Sequence, residues 1–575
     1  MEQLPNNGTP PSRRWISLIE QREDQVFLVL TLLIGALAGL AVVAFIVLTQ
    51  RTSLRLYPAH GEPWRRLLLP ISCSLAMGYL LYRYFPDARG SGVPQTKAAL
   101  FAREGRITLG TVLGKFFCTS ATLACGIPLG REGPSVQVGA GIASVLGRFV
   151  GLRPEKVKAL IPVGATAAIA AAFNTPMAAV LFSLEEVMGD LHAPVLGSVV
   201  LASATSWAVL RLLLGNNPLF HVPQYELVHP VEFAFYAVLG VLGGFLSVAF
   251  TKLLLGMRQK FLLLPRKTRW WHPAIGGVLV GIMGFFVPQV LGVGYNYVGD
   301  ALNGSMALRL MLVLVVLKLF AITTAYASGN AGGIFGPSLF LGAMLGGAVG
   351  HVAHQFFPAH TATPGAYALV GMGALFAGIV RAPMTSVLMI FEMTRDYSVI
   401  VPLMIANLAS LFISSRLQKQ PIYEALAHQD GIHLPLSGRR GETGQHRVFE
   451  VMHQAAETFP ADMLAAEAVE RSRAREFRSF LVADEGSLVG VLSRAQIESA
   501  IAGNGTEEKL SDFISSLEFP HVHSDHALHV ALERMSVARV DLLPVVSRAD
   551  VHKLEGVVTL RDVLDSYGVN PTGSA

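Results

Sequence analysis

The chain has 575 residues, of which 52% are hydrophobic and only 15% charged, and its mean hydropathy is +0.48. Soluble domains carry about 25% charge, so a single soluble domain is excluded; disorder is excluded too, because it needs low hydrophobicity and high net charge. Three cysteines in apolar stretches, Cys73, Cys118 and Cys125, are too few for a secreted disulfide scaffold and read as small buried hydrophobes. The net charge of +5 fits basic flanks of membrane spans. Without an aromatic-interleaved basic stretch it points to no nucleic-acid partner.

Residues 1–25 are polar, with Arg13, Arg14 and Arg22, and read as a cytoplasmic N-terminal segment. Val26 to Thr49 then runs without a formal charge, long enough to cross a hydrocarbon core of about 30 Å as a retained helix rather than a cleaved signal. Further apolar segments follow at 67–82, 107–129, 136–150, 157–184, 194–214, 231–255, 274–294, 306–327, 337–356, 366–394 and 399–415. Several are shorter than a span, and others are cut by some of the 56 glycines and 31 prolines. Non-helical backbone at membrane depth survives only where protein buries it or it lines an aqueous cavity. Residues 26–427 are therefore expected to form a polytopic α-helical membrane domain with broken helices. Beyond residue 425 the texture changes: Glu467, Glu470, Arg471, Arg473, Arg475 and Glu476 bring charge, and strand-like runs (Ser479–Val482, Leu488–Leu492, Leu542–Val546, Gly556–Thr559) alternate with helical patterns. This predicts a soluble α/β domain over 446–568, joined by a polar linker at 428–445 and followed by a tail at 569–575.

Both regions repeat internally. Lys115 to Pro134 and Lys318 to Pro337 each span 19 residues, and the glycines between them, Gly126 and Gly130 against Gly329 and Gly333, fall in step. Gly164, Pro176 and Glu185 match Gly371, Pro383 and Glu392 at equal intervals. The membrane domain thus divides into halves at about 26–215 and 230–427, the sequence mark of a transporter with a site between repeats. In the soluble region Gly490-Val-Leu-Ser493 matches Gly556-Val-Val-Thr559, giving units at about 446–503 and 510–568, each ending strand, turn, strand, helix.

Four stretches carry chemistry. Gly130-Arg-Glu-Gly-Pro134 lies between apolar segments, where an unpaired carboxylate is costly. Its glycines expose backbone amides, and the following helix aims its positive end back at the loop, so the loop suits an anion or a tethered carboxylate from Glu132. A solvated turn is the blander reading, but the uncharged second copy Gly333-Ile-Phe-Gly-Pro337 favours two frames meeting at one site. Gly90-Ser-Gly-Val-Pro94 offers the Ser91 hydroxyl, although by itself a surface turn fits it better. Glu185 and Glu186 end an apolar helix, either as interfacial acids or as a proton acceptor. Tyr423 reads as an aromatic-belt residue or as a phenol donor to an anion.

Taken together, Gly90–Pro94, Gly130–Pro134, Gly333–Pro337 and Tyr423, in that order, resemble the CLC family of chloride channels and chloride/proton antiporters over residues 25–430. The resemblance implies a fold of two inverted repeats with broken, tilted helices. It implies an anion held by the hydroxyls of Ser91 and Tyr423 and the amides of Ile334 and Phe335, with Gly90, Gly92, Arg131 and Gly133 forming the loop backbone. Glu132 matches the external gate and proton carrier, Glu186 the internal proton acceptor, and Lys115 a lysine adding positive potential along the anion route. Ser91 favours chloride over nitrate, and the unbroken Gly130–Pro134 loop argues against the fluoride branch. Gln95-Thr-Lys97 departs from the acidic residues of well-known antiporters and leaves the surroundings of Glu186 unsettled.

The soluble repeat resembles a tandem CBS pair. Thr559 and Asp562 match its ribose- and phosphate-contacting positions, while Gln496 replaces the acid in the first unit, so one adenine nucleotide at most, or a purely structural pair, is implied. The expected protein is a homodimer in a bacterial inner membrane with both termini cytoplasmic, moving chloride and protons, with no required cofactor and no catalytic or metal site. Two readings stay open: a chloride/proton exchanger, favoured by Glu186, and a passive chloride channel on the same scaffold. A membrane enzyme is disfavoured, since no Gly-x-Ser-x-Gly or His-Glu-x-x-His signature occurs.

Overall fold

A computed structural model describes residues 23–58, 61–190, 195–215, 219–220, 225, 227–432, 446–453, 458–473, 478–484, 486–504, 508–514, 519–548 and 550–567. Arg13, Arg14, Arg22, Arg475, Glu476, most of the expected linker and the tail lie outside the described residues. The chain divides into two compact units, Met1–Leu434 and Pro435–Ala575.

In the first unit the helices are α1 (Glu23–Leu56), α2 (Trp64–Arg83), α3 (Val93–Phe101), α4 (Leu109–Ala124), α5 (Glu132–Phe149), α6 (Pro154–Phe173), α7 (Pro176–Phe182), α8 (Leu196–Leu214) and α9 (Glu232–Leu263). They continue as α10 (His272–Phe286), α11 (Tyr295–Leu302), α12 (Leu308–Ala327), α13 (Phe335–Phe356), α14 (Pro364–Val380), α15 (Pro383–Thr394), α16 (Ile400–Leu417) and α17 (Ile422–Gln429). Seven of the helices are long and apolar enough to cross a membrane. Their outer faces expose large apolar side chains such as Leu28, Leu40, Leu212, Phe245, Val316 and Phe412, as a lipid-facing surface requires.

Two expected segments, 157–184 and 366–394, are each broken in the middle. Asn174 and Arg381 end α6 and α14 in the left-handed conformation, and Pro176 and Pro383 then open α7 and α15. Proline at a first helical position loses no hydrogen bond and cannot continue the preceding helix, so the sequence forces a restart at the same place in both halves. Each half also carries one close helix pair. Gly139 of α5 faces Gly164 of α6, and Gly342 of α13 faces Gly371 of α14; a Cβ at any of the four would collide with the partner's backbone carbonyl. Small residues let helix backbones approach where the bilayer provides no hydrophobic drive. The short helices α3, α11 and α17 went unread in the sequence, and α5 and α13 begin earlier than expected, at Glu132 and Phe335, inside the chemistry-bearing loops.

In the second unit β1 (Thr458–Pro460) pairs parallel with β2 (Ser479–Asp484), which pairs antiparallel with β3 (Ser487–Ser493); β4 (Leu542–Val546) pairs antiparallel with β5 (Leu554–Thr559). Helices α18 (Val448–Val451), α19 (Ala465–Arg473), α20 (Arg494–Asn504), α21 (Leu528–Ala538) and α22 (Leu560–Ser566) flank them. The expected strand, turn, strand, helix ending occurs twice. Within this unit, Leu481 and Leu488 of the first soluble repeat meet Leu542, Val546 and Val557 of the second in a shared apolar cluster.

Candidate functional site

The two repeat loops meet as the matched glycines suggest. Gly130 N–H donates to the Gly333 carbonyl at 2.7 Å and Gly333 N–H donates back to Gly130 at 2.7 Å, a two-residue antiparallel bridge. Helices α5 and α13 start immediately after it, so both N-termini open onto one point. Glu132 is fully buried there. Its Oε2 accepts from the Gly336 amide at 3.2 Å, and its Oε1 accepts from the Tyr295 hydroxyl. The carboxylate therefore sits on the first turn of α13, where partial positive charge gathers. Arg131, next in sequence, lies instead over the Tyr295 ring at 5.6 Å.

The Gly90–Pro94 loop is not a surface turn: Ser91 is fully buried. Gly92 holds φ +105°, which side chains rarely adopt, and a Cβ on it would strike the Gly133 carbonyl. A Cβ on Gly133 would in turn lie 2.8 Å from Ser91 Oγ. The loops thus pack backbone to backbone and bring Ser91 beside the Gly130–Pro134 loop. Ser91 Oγ and Tyr423 Oη are buried, neither makes a hydrogen bond of ordinary length to a described residue, and the two hydroxyls interact with each other. Two such hydroxyls beside two helix N-termini suit an anion that accepts from both. Ile334 and Phe335 are buried at the start of α13, with the Phe335 ring among Phe173, Phe182 and Phe376. The amide that meets Glu132 is that of the next residue, Gly336.

Lys115, expected to lend positive potential, is fully buried and donates to the carbonyls of Ala88 (3.1 Å) and Gly90 (2.6 Å). It ties the first loop in place. Lys318 does the same in the other half, donating to Val290 (3.0 Å) and Gly292 (2.7 Å). Gly292-Val-Gly294 is thus the counterpart of Gly90-Ser-Gly92, and the residue after it is Tyr295. The sequence contains this signal: each glycine pair precedes its repeat lysine by nearly the same distance.

Glu186 is buried on a π-helical turn, Ser183–Met188, that continues α7. Lys97, whose presence left the surroundings of Glu186 unsettled, supplies them: its Nζ lies 2.8 Å from Glu186 Oε1 and 3.8 Å from Glu424 Oε1. Tyr423 interacts electrostatically with both Glu132 and Glu186. Glu185 turns away and caps α15, accepting from Met384 N (3.2 Å), Thr385 N (2.8 Å) and Thr385 Oγ1 (2.5 Å). Glu392 mirrors it on α7, accepting from Met177 N (3.1 Å) and Ala178 N (2.7 Å). The membrane unit also buries Glu232 and Glu424. Behind the first loop a cavity of about 260 Å³ is lined by Gly90, by Arg89, Arg258, Arg269 and His272, and by Asp87 and Asp430.

In the second unit Asp562 serves as a cap. Its Oδ2 accepts from Thr559 N (3.0 Å) and Thr559 Oγ1 (2.6 Å), and its Oδ1 meets His453 Nε2 at 3.1 Å. Burial alone would raise its pKa, but these hydrogen bonds and His453 outweigh it, and the carboxyl is held below its usual range. Ser493 and Gln496 form the same cap in the first of the two soluble repeats. A cavity of about 810 Å³ opens elsewhere, lined by Arg478, Ser479, Ser493, Arg494, Arg539 and Asp541, and neither Thr559 nor Asp562 contributes to it.

Comparison with known proteins agrees with this geometry. The family model described as voltage gated chloride channel matches residues 73–415, and CBS domains match 448–503 and 510–568. The H(+)/Cl(-) exchange transporter ClcA of Vibrio campbellii is 32% identical over 411 residues, covering 69% of this chain and 88% of the relative; its Vibrio cholerae counterpart is 33% identical over 416 residues, covering 70% and 89%. A slow cyanobacterial Cl-/H+ antiporter is similar in structure, with a TM-score of 0.64 and 27% identity, over 70% of this chain and 97% of that one. A eukaryotic CLC transporter shares the fold at 20% identity and a TM-score of 0.61, over 93% of this chain and 97% of that one. The inverted halves, the bridged loops and these matches together place the chain in the voltage-gated chloride channel (CLC) family, with a C-terminal pair of CBS domains.

Proposed function

We propose that this protein exchanges chloride for protons across the membrane, and that Glu132 is both the gate of the anion path and the carrier of the proton. The observation that carries this reading is the Glu132 carboxylate seated on the Gly336 amide beside the buried hydroxyls of Ser91 and Tyr423. A carboxylate and a chloride are alike in charge and compete for the same helix N-termini. Deprotonated Glu132 closes the path; protonated Glu132 loses its attraction to the amides and swings out, and chloride replaces it. Glu186 is the internal proton acceptor. Because one group both blocks the anion and holds the proton, the two fluxes are coupled. The cavity at Arg89, Arg258 and Arg269 draws chloride towards Ser91. The relatives named as exchangers support this reading.

The protein works as a homodimer in the bacterial inner membrane, one path per subunit, with both termini in the cytoplasm. An adenine nucleotide at the CBS pair would fit the cavity at Arg478, Arg494 and Asp541 rather than Thr559 and Asp562. Asp541 Oδ1 is buried there with no hydrogen-bond partner among the described residues, as a ribose-binding carboxylate would be before its ligand arrives. Arginines beside it suit the phosphates.

Proteoliposomes test the exchange. A chloride gradient should drive protons uphill in the wild type, and Glu132→Gln should stop proton movement while chloride still flows. Chloride flux with no uphill proton movement in the wild type would establish a passive channel instead.

A further inference from the structure

Lys97 Nζ stands between two carboxylates, 2.8 Å from Glu186 and 3.8 Å from Glu424, and the side chains of all three are at most 5% exposed. They come from three separate elements: α3, the π turn after α7, and α17. A buried charge is retained only where it is compensated. These three groups are two carboxyls and one amine, so with every group charged they would carry a net charge of −1 that a single proton cancels. Of the described charged groups near them, two are committed elsewhere. Glu185 caps α15. Arg381, which acts electrostatically on Glu424, spends its guanidinium on the carbonyls of Ser414, Gln418 and Lys419. Tyr423, adjacent to Glu424 in sequence, also interacts electrostatically with Glu132.

From this arrangement we propose that the inner proton acceptor is the unit Glu186–Lys97–Glu424, with Glu424 sharing the proton and Lys97 acting as the positioning residue between the acids. The inference rests on the exchanger reading above. One proton binds one carboxylate, and Lys97 then pairs with the other, so the ammonium swings between the acids as the proton is passed on. Glu424 lies on α17, directly after the hydroxyl that faces the anion. Entry through it would deliver protons along the same helix that helps hold chloride.

The unit makes a signed prediction that a lone Glu186 does not. Glu424→Gln removes a negative neighbour and leaves Glu186 with Lys97 alone, which favours its ionised form. Lys97→Met removes the positive neighbour and favours the protonated form. Proton flux driven by a chloride gradient, measured against pH on the side of Glu186 in proteoliposomes, should therefore shift its midpoint in opposite directions. Glu424→Gln should move it to lower pH and Lys97→Met to higher pH, each by about one unit for the loss of one close charge. Lys97→Arg should stay near the wild type. Parallel chloride flux reports folding. A Glu424→Gln profile that superimposes on the wild type, or one lost together with chloride flux and not restored by Glu424→Asp, overturns the proposal. A wild type that moves no protons uphill overturns the exchanger reading as well, so the two failures are distinguishable.

Discussion

Tyr295→Phe isolates the force that keeps Glu132 seated. In the structure the carboxylate has two partners: the Tyr295 hydroxyl on Oε1 and, on Oε2, the Gly336 amide at a rather long 3.2 Å. Arg131 lies over the tyrosine ring, a contact that phenylalanine retains. The substitution therefore removes one charge-assisted hydrogen bond and little else. Such a bond contributes about 1.5–3 kcal/mol. At about 1.4 kcal/mol per tenfold, the seated form of Glu132 should lose roughly 10–100-fold in population relative to the swung-out form. Chloride competes with the seated form, so its apparent affinity should rise by up to the same factor in calorimetric titrations at neutral pH. Chloride efflux from proteoliposomes should rise at neutral pH and lose much of its acid activation. The proton-to-chloride ratio should fall, because a gate that opens without a proton leaks. If Tyr295→Phe keeps wild-type affinity and pH dependence within about twofold, the hydroxyl is not a latch, and Glu132 is held by the helix terminus alone.

Two further outcomes follow from the geometry. Lys318→Met should lower thermal stability by roughly 3 kcal/mol, since it strands the carbonyls of Val290 and Gly292 and ends two hydrogen bonds to a buried ammonium; because the same loop places Tyr295, a thermal-shift assay should show the loss together with a weakened gate. In the CBS unit, the depressed carboxyl of Asp562 contributes stability that is fully present above its unfolded value of about 3.9 and disappears as pH falls through the lower folded value. Asp562→Asn should remove that acid-dependent part, which acid titration followed by far-UV circular dichroism would detect.

The long spans were legible because an apolar run of membrane length has few alternatives. The loops were legible because the repeat brought Gly130 and Gly333 into register. The helix starts were less so: Glu132 and Phe335 look like loop residues in sequence, and only the fold turns them into first-turn residues. Helices α3, α11 and α17, of eight or nine residues, are too short to build a periodic signal. Ser91 read as a surface turn because nothing local shows that Gly133 covers it. Tyr295, Lys97 and Glu424 reach the site from distant segments. Their pairing is set by how helices cross, which spacing along the chain does not encode. In the CBS repeats the local Thr559–Asp562 pattern also starts a helix, a role the sequence did not announce.

Glu185 and Glu392 cap one another's halves: each half carries the acid that closes the broken helix of the other. A half taken alone would hold both an uncapped helix start and a carboxylate without its helix, two defects that its inverted mate removes together. The halves are therefore obligate partners rather than modules that merely touch. A change at either exchange point, such as at Pro176 or Glu392, falls on both sides of the anion site at once. The chain can vary its lipid-facing surface freely, but it can alter this joint only in matched pairs.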